Sequence, residues 1–153
     1  MFTKAMSYRL TLLVLTITFI AGCTKNNDIE GKIRQQIKDC KNDSCRVSIR
    51  QLTNFKWDKM YVFNNPTAPG DIDQAIGLNY PNYVEFTRTI VFLDKNKIVH
   101  YENHHSKAEG PTDGEVLFGY PDSLKFQVYK SDQSIFRVKR KTFKDGTYSV
   151  LYQ

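Results

Sequence analysis

No apolar run in this chain is long enough to cross a bilayer: the longest, Leu10–Ile20, is eleven residues of Leu, Val, Ile, Thr and Phe, and a hydrocarbon core of ~30 Å takes about 20. There is no G-x-S-x-G element, so no nucleophile elbow is written into the chain. The two carboxylates Asp71 and Asp73 lack the further oxygen ligands of a calcium loop. Internal repeats, low-complexity segments and an acidic tail are also missing. The charge balance is only mildly basic, 22 Lys and Arg against 16 Asp and Glu, a net +6. That falls short of a nucleic-acid footprint.

The N-terminus carries a pattern of its own. Lys4 and Arg9 precede the apolar run, and small residues follow it in Ile20-Ala21-Gly22-Cys23. A basic end, an apolar middle and small residues before a cut describe an export signal. The four-residue ending resembles the lipobox of bacterial lipoproteins. The resemblance implies that residues 1–22 are a cleaved signal peptide and that the Cys23 thiol takes a diacylglyceryl group. It further implies acylation of the new amine, a palmitate-type anchor and attachment to a membrane. Thr24 stands where aspartate commonly marks inner-membrane retention in such lipoproteins. The implied location is therefore the outer membrane of a Gram-negative cell, with the domain facing the periplasm. Loss of the leader removes two basic residues, leaving Cys23–Gln153 at +4, enough chain for one domain with its own core.

With Cys23 lipidated, Cys40 and Cys45 remain as a C-x4-C pair. In an exported protein this spacing reads as a local disulfide, contributing about 2 kcal/mol through loop entropy. The competing reading, a redox pair, ordinarily uses a tighter C-x-x-C at a helix start.

Residues 23–28 read as the lipidated cysteine and a polar tether, and 29–153 as the folded domain. Ile29, Ile33 and Ile37 recur at helical spacing behind Asn27 or Asp28 as N-cap. Arg46 to Leu52 alternates like a strand. Phe55 to Phe63 also reads as a strand, with Phe55, Trp57, Tyr61 and Phe63 on one face. Asn64–Gly70 reads as a loop, and Asp71–Ile76 as a short helix stopped by Gly77. Arg88–Asp94 and Lys97–Asn103 form a hairpin about Lys95-Asn96, placing Asp94 opposite Lys97 and Phe92 opposite Val99. Ile90-Val91-Phe92-Leu93 is apolar on both faces and so belongs at the centre of a sheet. Strands follow at Glu115–Phe118, Leu124–Tyr129, Ser134–Thr142 and Thr147–Tyr152. The expectation is a single small α+β domain, a mostly antiparallel sheet with about two helices.

Phe55-x-Trp57-Asp58-Lys59-x-Tyr61-Val62-Phe63, followed by Pro66 and a helix ending at Gly77, is similar to a segment of small uncharacterised bacterial lipoproteins. It covers about a quarter of the mature chain. The resemblance brings no activity and no functional residues.

Two clusters merit a chemical reading. His100, Glu102 and His104 share one face of a strand, with His105 alongside, which resembles a metal-binding comb. Residues two apart on a strand are about 7 Å apart and can chelate together. Residues four apart are about 13 Å apart and cannot share an ion unless the strand bends. The competing reading is a polar strand end running into a loop. Arg137, Lys139 and Lys141 occupy one face of a late strand, opposite Phe136 and Val138. They form either a basic ridge that meets an anionic partner or the solvated face of an edge strand guarded by lysine. Trp57 beside Asp58 reads as core.

These features point to a lipid-anchored, non-catalytic binding or accessory module. It would have no cofactor and no nucleic-acid partner, and its partner would be an envelope or toxin protein. An immunity-type lipoprotein that inhibits a periplasmic toxin is the alternative, because tethering raises local concentration where the toxin acts. A metal-dependent hydrolase built on the histidine segment is the third class.

Overall fold

The computed structural model describes residues 28–40, 45–105, 107, 110–121, 123–144 and 146–153. The expected leader 1–22, the expected lipidation position Cys23 and the expected tether through residue 27 lie outside the described residues. Among those described, no helix is long and apolar enough to cross a membrane.

The domain is α+β and mostly sheet. Among the described residues there are three α-helices: α1 (Ile29–Asp39), the single turn α2 (Ile49–Leu52) and α3 (Pro69–Ile76). The strands are β1 (Arg46–Ser48), β2 (Lys59–Phe63), β3 (Thr87–Asp94), β4 (Lys97–His105), β5 (Val116–Phe118), β6 (Gln127–Lys130), β7 (Ile135–Phe143) and β8 (Gly146–Tyr152). They form two four-stranded sheets, ordered β1-β7-β8-β5 (sheet A) and β4-β3-β2-β6 (sheet B). Every pairing is antiparallel except β5 with β8.

The layers follow from which face of each strand is apolar. Sheet A sends Val47, Val116, Phe118, Phe136 and Leu151 inward, against Met60, Val62, Ile90, Phe92 and Tyr129 of sheet B. Ile29, Ile33 and Ile37 of α1 close this core along one side. Phe118, Tyr129 and Phe136 lock the two sheets together, with ring centroids 4.9–5.8 Å apart. The other face of sheet B packs Tyr61, Phe63, Val91 and Leu93 on Ile72 and Ile76 of α3. Sheet B is therefore buried on both sides, and β3, which lies between β4 and β2, is the strand the sequence marks as central.

Several expectations are corrected by the coordinates. Arg46–Leu52 is a strand only to Ser48, because the Ser134 carbonyl and hydroxyl capture the amides of Ile49 and Arg50 and turn the chain into α2. Phe55–Phe63 is a strand only from Lys59. Asp58 interrupts it, its amide donating to Leu93 and its carbonyl accepting from Ser131. The interruption breaks the period of two, so Phe55 and Trp57 join the core between the sheets while Tyr61 and Phe63 face α3. Helix α3 starts at Pro69 and not Asp71, since proline suits the first helical position, where no amide hydrogen bond is lost. It stops at Gly77, whose φ of 71° is left-handed, as the sequence indicates.

Candidate functional site

Helix α1 exposes unpaired amides at its N-terminus. Asp28 caps one, accepting from Gly31 N at 2.7 Å. The next partner comes from far along the chain: the Glu102 carboxylate on β4 accepts the amides of Ile29 and Glu30. A carboxylate at this end also suits the helix dipole. The same carboxylate accepts His100 Nε2 at 2.9 Å on one oxygen and His104 Nε2 at 3.0 Å on the other.

A bulge creates this arrangement. The β3–β4 hairpin turns through Lys95 and Asn96, both at positive φ, and Asp94 faces Lys97 as expected. Past Ile98 the register slips: Phe92 pairs with His100, not Val99. Val99 is the extra residue, and a one-residue slip exchanges the faces of every residue beyond it. Without it, Tyr101 and Asn103 would sit opposite Ile90 and Arg88. With it, His100, Glu102 and His104 line up with Phe92, Ile90 and Arg88 and turn toward the layer between the sheets.

The cluster continues into that layer. Arg88 donates through Nη2 to Glu30 at 3.0 Å and through Nη1 to the Val116 carbonyl at 2.8 Å. Its Nε lies 2.7 Å from Glu115 Oε1 but off the N–H direction, so this is a charge contact and not a hydrogen bond. Glu115 is fixed in turn by the amide and hydroxyl of Thr112. His104 Nδ1 lies 3.4 Å from Glu30. Side chains of Arg88, Glu30, Glu102 and Glu115 are each about 5% exposed, which makes this a buried ionic network and not a solvated strand end. Burial on its own would push the Glu102 carboxyl up. The hydrogen bonds from His100, His104 and Ile29 and the charge of His104 outweigh it, holding the group at about 2.

The sequence anticipates that His100, Glu102 and His104 share a face. Their inward direction and their partners Glu30, Arg88 and Glu115 escape it, because the contacts span up to 73 residues. The His100 ring is packed as well as bonded, with its centroid 4.8 Å from Phe55 and 5.7 Å from Phe92. Among the described residues, no group of three or more His, Cys, Asp or Glu side chains is arranged to hold a metal ion.

Cys40 and Cys45 are joined by a disulfide at the C-terminal end of α1. Arg137, Lys139 and Lys141 are all exposed on the outer face of sheet A. Their strand is not a plain edge, because β7 lies between β1 and β8, with β1 covering its Ile135–Arg137 end. Two clefts open elsewhere. One, of about 400 Å³, lies between α3 and the segment before β6, with Phe63 and Phe126 among its walls and the Asp71–Lys125 ion pair at 2.9 Å on its rim. The other, of about 640 Å³, is bordered by Arg34, Lys38 and Arg140 together with Asp113.

Compared with known proteins, the chain matches no family model, no curated protein and no solved structure.

Proposed function

We propose that this protein is a lipid-anchored envelope lipoprotein whose domain acts by binding, without catalysis, at the periplasmic face of the outer membrane. The anchor rests on Ile20-Ala21-Gly22-Cys23 behind a short basic and apolar leader, and the membrane assignment on Thr24. One structural observation supports the binding role above the hydrolase reading. His100 and His104 both bond to Glu102, and Glu102 bonds to the first amides of α1. The side chains a hydrolase would recruit are thus employed in holding a helix to a sheet.

Fractionation of cells expressing the full chain tests this reading. The protein should sediment with outer membranes, require detergent for release, and co-purify with an envelope or toxin protein at fixed stoichiometry. A secreted toxin as that partner would assign the immunity role. Recovery in the soluble periplasm would contradict the anchored reading. Stoichiometric zinc, lost together with a hydrolytic activity in a His100→Asn, His104→Asn variant, would establish the catalytic one.

A further inference from the structure

Among the described residues, no helix and no second sheet packs on the outer face of sheet A, and the composition of this face is one-sided. Register places Arg46 opposite Arg137, Arg137 opposite Tyr152, Lys139 opposite Val150 and Lys141 opposite Tyr148. All seven positions project away from the core side, to which the neighbouring Phe136, Val138 and Leu151 belong. No Asp or Glu occupies this face of the four strands. Among the described residues, the ion pairs involve Arg88, His100, His104 and Lys125, and none of these four cations. Like charges directly opposite one another, as at Arg46 and Arg137, destabilise a sheet. Packing within the domain therefore gives no reason for this set of residues.

We propose that this face rests on an anionic phospholipid surface, with Arg46, Arg137, Lys139 and Lys141 meeting lipid phosphates and Tyr148 and Tyr152 lying at headgroup level. The inference builds on the anchored reading above. Three observations favour a bilayer over an acidic protein. Neither of the two clefts described above opens on this face. Half-buried tyrosines alternate with cations across it, the composition that sits at a membrane interface. The stretch from Cys23 to Asp28 spans five residue steps, reaching at most about 17 Å, so an acylated Cys23 keeps the domain beside the headgroups. A basic patch then acts as a second attachment signal that also fixes orientation. With sheet A against the membrane, sheet B and α3 stack behind it. The cleft between α3 and β6 then faces away from the bilayer, toward soluble partners.

Sedimentation of the full chain carrying Cys23→Ser, which cannot be acylated, isolates this contact from the anchor. Vesicles of phosphatidylcholine alone are compared with vesicles that also contain phosphatidylglycerol, at low and high salt. Binding should be stronger with phosphatidylglycerol than without it, and this gain should weaken with salt. It should fall by about tenfold or more with Lys139→Glu and Lys141→Glu together, and by less with Lys139→Gln and Lys141→Gln. Every variant shares the same N-terminal segment, so the differences read only the sheet face, and circular dichroism confirms that each is folded. Equal binding to the anionic vesicles by the Cys23→Ser chains with and without charge reversal, or binding to polyglutamate with no gain from phosphatidylglycerol, would each overturn the proposal. Neither outcome bears on acylation of Cys23.

Discussion

The carboxylate of Glu102 accepts the backbone amide of Ile29, a residue 73 positions earlier in the chain. This contact ties the start of α1 to β4, an edge strand of sheet B. It exists only because the bulge at Val99 turns Glu102 inward. Helix start, strand bulge and buried ionic network are therefore one device.

Acid stability should report on that device. Glu102 titrates at about 2 in the folded protein against an ordinary 4.5. A depressed carboxyl contributes stability that is fully present above its unfolded value and is lost as pH falls through the folded one. The contribution is about 3 kcal/mol, declining between about pH 4.5 and pH 2. Urea unfolding across that range should show Glu102→Gln less stable than wild type at pH 6, with the gap closing toward pH 2. A constant gap would separate the loss from ionisation of Glu102.

Removal of Arg88 leaves Glu30 and Glu115 buried without their counter-charge. Arg88→Met should cost about 3–5 kcal/mol, and adding Glu30→Leu and Glu115→Leu should restore much of the loss, because apolar replacement of a whole buried network is often tolerated. Chemical denaturation of the single and triple variants measures both effects.

The histidines should separate by position. His104→Ala strips a donor from Glu102 and a neighbour from Glu30 and should destabilise by about 1–3 kcal/mol. His105 is exposed, and His105→Ala should stay within about 0.5 kcal/mol of wild type. Equal effects in thermal melts would mean that the network does not restrain β4.

Reduction of Cys40–Cys45 should lower the unfolding midpoint without abolishing the fold, since a ring of this size contributes about 2 kcal/mol. Alkylation of both thiols in native protein recovered from the periplasm would contradict the oxidised state there.

Much of this fold is local and therefore legible. The Ile29, Ile33, Ile37 spacing, the Asp28 cap, the Gly77 stop and the Lys95-Asn96 turn all rest on residues a few positions apart, and each stands in the structure. The apolar character of β3 on both faces marks the middle layer. The failures share a different physics. Asp58 breaks the β2 pattern through hydrogen bonds to Leu93 and Ser131, and Ser134 ends β1 from 84 and 85 residues away. Proline at the first turn of α3 is a signal that was available in Pro69. The bulge at Val99 has no comparable mark, so the His100, Glu102, His104 pattern is visible while its inward direction is not. The basic ridge was legible as residues, but the contribution of Arg46 and the tyrosines depends on the pairing of β1, β7 and β8.

Anchoring through Cys23 is the claim on which the functional reading depends, and incorporation of labelled palmitate tests it most directly. Cells expressing the wild-type chain should yield a labelled protein, and cells expressing Cys23→Ser an unlabelled one that retains its leader. Equal labelling of the two chains, or an unlabelled wild-type protein cleaved of its leader, would contradict the lipoprotein account.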